Sequence, residues 1–294
     1  MIHRRIRRQD VEIKNYMLNY YKNMEEEKNY KNPPIPKGFR YVKGQWNNGF
    51  TILNEQDGSL FVWQPKEALE ANSTEDGYIF NKKFGRNIFD CKNDERYQID
   101  WFYDDAITSK AKKVINTTGG NYISAYIASW KENRIVFSSG LTPMFSSSNK
   151  IEKLCKDYAK KLEGVFSMPV SGSDFDCMIK YFMMQSNMDE DLLKDSTKWN
   201  AKDSKLTGDI ISHYGIFDLG MHEEFTTENN SNFYVVRGGQ KSVASRMLCD
   251  WKNRNKNAFR VVLYVEPQMD AYGKSIEILE QKLKKYEKTI TNEE

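Results

Sequence analysis

A chain of 294 residues with 39% apolar and 13% aromatic content holds enough core-forming material to fold, as one large domain or two small ones. Its 44 basic and 41 acidic residues leave a net charge of +3, too near balance for a general polyanion-binding field, so nucleic acid is not an expected partner. No apolar run approaches the roughly eighteen residues of a membrane span, and no apolar stretch follows the basic start, so neither a span nor Sec export is expected.

The start His3-Arg4-Arg5-Ile6-Arg7-Arg8 is the local exception in charge and reads as a solvated helix start or a subunit contact. Residues 10–28 place Ile13, Met17, Tyr20 and Met24 at steps of four, three and four, the seam of an amphipathic helix. Asn32-Pro33-Pro34-Ile35-Pro36 stops that helix, because proline removes backbone donors and disfavours helix before it.

Three β-rich runs follow: Gly38-Phe39-Arg40-Tyr41-Val42, Phe50-Thr51-Ile52-Leu53 and Leu60-Phe61-Val62-Trp63. The turn formers Asn47-Asn48-Gly49 and Gln56-Asp57-Gly58 separate them, which predicts a meander. Residues 94–114 are expected to be helical, 119–127 a buried strand, 150–162 a helix and 173–185 another helix. In the last, Phe175, Met178, Ile179, Phe182 and Met183 form a core-facing stripe. The polar stretch 188–210 reads as a long surface loop. Val235-Val236 and the run Phe259-Arg260-Val261-Val262-Leu263-Tyr264-Val265 are expected to pair as antiparallel strands. Gly238-Gly239 would bend the chain out between them, making residues 240–258 a surface excursion. In the tail, residues 272–287 carry Ile276, Leu279, Leu283 and Tyr286 at a and d spacing. Two heptads are too short to stand alone, so this helix must dock or pair with another chain.

Cys91, Cys155, Cys177 and Cys249 form no C-x-x-C pair, so reduced thiols in a protein made in the cytoplasm are expected rather than a zinc site or disulfide framework. There is no G-x-S-x-G elbow, H-E-x-x-H helix, P-loop or G-x-G-x-x-G turn. Asp104-Asp105 and Glu223-Glu224 are adjacent pairs whose side chains point apart, and are read as solvated charges rather than a carboxylate dyad.

Several segments, taken in order, resemble the formylglycine-generating-enzyme family, and in particular its non-enzymatic bacterial and phage relatives. They are Pro36-Lys37-Gly38-Phe39 with Phe61-Val62-Trp63-Gln64-Pro65, then Gly119-Gly120-Asn121-Tyr122-Ile123-Ser124-Ala125-Tyr126, then Met168-Pro169 through Phe175. The set closes with Tyr214-Gly215-Ile216-Phe217-Asp218-Leu219, Val235-Val236-Arg237-Gly238-Gly239 and Ala258-Phe259-Arg260-Val261-Val262-Leu263. The resemblance implies an α+β, C-type-lectin-like domain over residues 32–267. Residues 1–31 and 268–294 would be terminal helical segments used for attachment to other subunits or for homo-oligomer formation.

Enzymatic members of the family carry two copper-binding cysteines after the double glycine. At the matching positions this chain has Val243 and Leu248, with Cys249 one residue off, so the resemblance implies no catalytic residues and no cofactor. The family's calcium turn falls at Gly220-Met221-His222-Glu223-Glu224, where Glu224 keeps the carboxylate but Met221 stands for the ligating asparagine, so one oxygen ligand is missing and calcium near Glu224 is not expected.

The expected function is that of a non-enzymatic binding or structural protein, a phage tail, fibre or head-attached component found in the virion after assembly in the host cytoplasm. Its display surface is assigned to Gln240, Lys241, Ser245, Arg246, Asp250, Trp251, Asn253 and Arg254, facing a host-surface glycan or protein. For Trp251 the alternative is a plug in the core beneath the excursion. A modifying enzyme of the same family and a host-encoded binding scaffold are the rival functions.

Overall fold

In a computed structural model, the described residues are 33–46, 48–65, 73, 74, 77, 78, 109–172, 174, 175, 178, 179, 205–208, 215–229, 232–239, 246–251 and 256–266. The predicted terminal helices at 10–28 and 272–287 lie outside them, as do residues 94–108, 180–204 and the pair Asp104-Asp105.

The predicted meander is present. Strands β1 (Phe39–Gln45), β2 (Asn48–Asn54) and β3 (Leu60–Pro65) pair in antiparallel succession. Between β2 and β3, Gly58 takes a φ of 75°, and the Asn54 and Asp57 side chains accept from the amides of Gln56 and Ser59. The short ladder β4 (Ser73–Thr74) and β5 (Gly77–Tyr78) comes next, then helix α1 (Ser109–Thr118). Gly119 closes α1 at a φ of 81°, its amide donating to the Ile115 carbonyl at 2.7 Å, so the helix runs past Val114 and stops where glycine permits the left-handed turn.

Strand β6 (Gly120–Ser124) is buried throughout and pairs with β3. The hairpin β7 (Ser129–Lys131) and β8 (Arg134–Val136) leads to helix α2 (Ser148–Tyr158), which ends four residues earlier than its polar continuation suggests. Strand β9 (Val165–Pro169) precedes helical residues 172, 174, 175, 178 and 179, the described part of the predicted core-facing helix. The remaining strands are β10 (Glu223–Asn229), β11 (Phe233–Gly238), β12 (Arg246–Asp250) and β13 (Val261–Val265).

The principal sheet has six strands in the order β1-β2-β3-β6-β13-β9, all antiparallel neighbours. Its pleat divides the core. Phe61, Trp63, Tyr122, Val261 and Leu263 face one side with Ile151 and Cys155 of α2. Val62, Ile123, Val262 and Tyr264 face the other with Ala111, Val114 and Ile115 of α1 and Phe175, Met178 and Ile179. Each such fully buried apolar side chain contributes about 1.5–3 kcal/mol. A three-stranded antiparallel sheet, β10-β11-β12, lays Phe225, Tyr234, Val236 and Cys249 onto the first side.

The expected pairing of Val235-Val236 with the run 259–265 is not what forms. β11 pairs with β10 and β12, whereas β13 sits between β6 and β9 in the principal sheet. Both runs are β-branched and apolar, and composition alone does not state which of several such strands is the neighbour. It follows that part of the expected surface excursion is itself sheet, since β12 occupies 246–250. The architecture is therefore mixed, mostly antiparallel sheet with two labelled helices among the described residues. No helix among them is long and apolar enough to cross a membrane.

Candidate functional site

Of the eight predicted display residues, the structure describes Arg246, Asp250 and Trp251. Gln240, Lys241, Ser245, Asn253 and Arg254 lie outside the described residues. Arg246 and Asp250 are the two ends of β12, standing opposite Arg237 and Phe233 of β11. Trp251 follows at once. Its amide donates to the Asn232 carbonyl at 3.2 Å, and its half-buried ring lies 4.8 Å from that of Tyr234 at 47°. The indole thus seats one part of its surface on the core while the rest stays in reach of solvent, between the two roles considered for it.

Cys249 faces the same core, buried beside Tyr234, its direct neighbour across the ladder. Burial holds the Tyr234 hydroxyl above its ordinary pKa, and the Asn257 amide, donating to it at 2.9 Å, pulls the other way. Cys155 is also a buried thiol, raised well above its usual range by desolvation, with its Sγ donating to the Arg260 carbonyl at 3.8 Å. Leu248, at one of the positions matching the family's cysteines, is half-buried on the opposite face of β12 from Cys249. Val243 lies outside the described residues. Two aliphatic side chains supply no thiolate, so the residues at these positions do not fit copper.

The second feature of the site is ionic. Arg260 and Glu224 are both buried and meet side-on, with Nε donating to Oε2 at 2.7 Å and Nη2 to Oε1 at 3.1 Å. Nη1 donates to the carbonyls of Ser124 and Ala125 at 3.2 and 3.0 Å, and Nη2 also donates to the Phe217 carbonyl, so every guanidinium N–H is used. Glu224 is therefore a correction to the expectation of solvated charges at Glu223-Glu224: only Glu223 is exposed. Burial pushes the Glu224 carboxyl up, Arg260 pulls it back, and Asp218 adds to the rise.

Asp218 is buried at a φ of 65° and accepts the Gly208 amide at 2.7 Å, tying the turn at 205–208 to this region. Met221 packs with Ile127 and Ala258. A calcium ion would here meet a methionine in place of an oxygen ligand and a guanidinium already side-on to the carboxylate, so the residues do not fit calcium. Among the described residues, no three His, Cys, Asp or Glu side chains converge as metal ligands would.

The ion pair was readable in principle. Arg260 interrupts an apolar run that reads as buried strand, and a charge inside such a run demands a buried counter-charge. Nothing in the local sequence says that Glu224, rather than another carboxylate, supplies it.

Comparison with protein-family models, with curated proteins and with solved structures found no match.

Proposed function

We propose that this chain is a non-enzymatic binding protein, a structural component of a phage virion such as a tail, fibre or head-attached protein, built on a C-type-lectin-like domain. The display surface is formed by Gln240, Lys241, Ser245, Arg246, Asp250, Trp251, Asn253 and Arg254 around β12. A glycan or protein on the host surface is its ligand, and residues 1–31 and 268–294 join the chain to neighbouring subunits.

One observation carries the reading. In the segment where enzymatic members of the resembling family hold copper between two thiolates, this chain has Val243 and Leu248, and its nearby Cys249 is turned into the core against Tyr234. Cys249 and Trp251 also seat β12 on the packed core, and pre-organised residues lower the entropy cost of recognition.

Copper titration of the purified chain, with mass-spectrometric mapping of thiol labelling at Cys249, separates this reading from a modifying enzyme. The binding reading expects no stoichiometric copper and a Cys249 that labels only on unfolding. One copper bound tightly per chain, lost in Cys249→Ser, would defeat it. A glycan array and host-cell retention assay supply the positive arm, with retention expected to fall in Lys241→Ala and Arg254→Ala. Mass spectrometry of purified particles decides between a virion component and a host-encoded scaffold.

A further inference from the structure

The stretch Pro33-Pro34-Ile35-Pro36 has its conformation set by its own chemistry. Each proline ring fixes φ at about −65°, and a following proline pushes Pro33 and Ile35 to extended backbone, so the segment is confined to the polyproline II region. That helix turns once in roughly three residues, and the burial follows it: Pro33 and Pro36 are buried, Pro34 is half-buried and Ile35 is 42% exposed. At the end of the segment the Phe39 amide donates to the Pro36 carbonyl at 3.1 Å and turns the chain into β1.

Tyr122 of β6 meets this segment from 88 residues away in sequence, its hydroxyl donating to the Pro34 carbonyl at 3.1 Å. Tyr122 also heads a row of buried aromatic rings. Trp63, its partner across the β3–β6 ladder, stands edge-on to it at 5.0 Å, and Trp46 lies 5.1 Å beyond Trp63. Aromatic side chains that offer a donor to a carbonyl between prolines are the chemistry by which Pro-x-x-Pro segments are recognised. Pro33 and Pro36 supply that spacing within the same chain.

We propose that Pro33–Pro36 is bound to the domain as a polyproline II ligand, a strap seated at Tyr122, Trp63 and Trp46, and that the same site takes a proline-rich peptide of the Pro-x-x-Pro type when the strap is out of it. Proline-fixed backbone loses little freedom on docking, which lets so short a segment hold. The strap lies in no helix or strand and is tied by a phenol hydrogen bond and proline burial, so it can leave while β3 and β6 stay paired. Its role as the joint that sets where residues 1–31 leave the domain rests on the attachment reading above; the peptide site does not.

Titration calorimetry of the full chain with a synthetic peptide of residues 32–37, Asn-Pro-Pro-Ile-Pro-Lys, tests this, and no host ligand or neighbouring subunit enters the measurement. Pro33→Ala, Pro34→Ala and Pro36→Ala combined weaken the strap and open the site. This triple variant is expected to bind the peptide about tenfold more tightly than the wild type, whose own segment competes at high effective concentration. The same peptide with alanine for its three prolines is expected not to bind. Tyr122→Phe added to the triple variant is expected to weaken binding about fivefold, the loss of one neutral hydrogen bond. A folded triple variant without saturable binding, a wild type of equal affinity, or equal affinity for the alanine peptide overturns the proposal. Tyr122→Phe alone gives a measurement that needs neither the triple variant nor the peptide. Tryptic cutting after Lys37 is expected to quicken about fivefold relative to cutting after Lys160, since one neutral hydrogen bond less favours release of the strap by that factor. An unchanged Lys37 rate, or one that rises only in step with Lys160, overturns the strap.

Discussion

Glu224 stands directly opposite Arg237 across the β10–β11 ladder, yet its carboxylate is taken side-on by Arg260 from the segment leading into β13. The ion pair thus joins the small sheet to the principal one, while the three carbonyls that also accept from Arg260 fix the chain around Ser124, Ala125 and Phe217. The guanidinium adds a charged tie between two sheets that share one core, beside the backbone hydrogen bonds that β10 makes with Ala258 and Val170. Arg260→Met strands Glu224 in the interior beside Asp218 and is expected to cost about 3–5 kcal/mol in urea denaturation. Arg260→Met with Glu224→Met removes both charges and is expected to recover most of that loss. A double variant as unstable as the single one would mean that the carbonyl contacts, and not the charge pair, hold the joint.

Gly120 and Gly58 serve different ends, and substitution separates them. A Cβ on Gly120 would lie 2.3 Å from the Gln64 carbonyl oxygen and 2.7 Å from Cζ2 of Trp63, so the β3–β6 ladder would have to part. Gly120→Ala is expected to destabilise by about 1–3 kcal/mol, the usual cost of overpacking. At Gly58 the φ of 75° is the only demand, with nothing within 4 Å of a Cβ. Asparagine tolerates that region, so Gly58→Asn is expected to leave the thermal midpoint nearly unchanged. Equal losses at the two positions would contradict the close β3–β6 approach.

What the sequence discloses and what it hides divide along the range of the interactions. The meander over β1 to β3 was legible because each turn carries its own chemistry within four residues, as the Asn54 and Asp57 caps show. The buried strand at Gly120–Ser124 and the core stripe at Phe175, Met178 and Ile179 were legible from apolar patterning. The partner of β11 was not. Val235, Val236, Val261 and Val262 present the same surface to any strand, and long-range pairing is settled by how the whole core packs. For the same reason the sequence alone reads Glu223-Glu224 as solvated charge, since the partner of Glu224 is Arg260, 36 residues further along. In the segment proposed for display the residue types marked the place, and its described part, β12 and Trp251, rests on sheet.

His222 offers a pH test. It packs edge-on against Phe145, ring centroids 4.8 Å apart, and burial holds its pKa below the ordinary histidine value. The unfolded chain therefore takes up the His222 proton at higher pH than the folded one. Stability from this group is fully present above the ordinary value, near 6.5, and is lost as pH falls through it, levelling off below the folded value. Denaturation midpoints measured between neutral and mildly acidic pH are expected to fall more steeply for the wild type than for His222→Gln. Parallel slopes would show that the imidazole titrates alike in both states.

Trp251 tests the proposed display surface. Its ring contact with Tyr234 and its amide bond to Asn232 make it an anchor, and its half-buried state leaves indole surface for a ligand. Trp251→Ala is expected to cost about 2–3 kcal/mol, below the roughly 3–5 of a fully buried aromatic, because part of the ring is already in water. Trp251→Phe keeps an aromatic on Tyr234 and is expected to cost about 1 kcal/mol, a volume change that the half-open site can absorb. The two measurements, stability by denaturation and retention on host cells, then separate the roles. If the indole only anchors the strand, Trp251→Phe binds as the wild type does and Trp251→Ala weakens binding in step with its lost stability. If the indole also meets the ligand, Trp251→Phe keeps its stability and loses retention, because the smaller ring withdraws the exposed edge while the contact with Tyr234 survives.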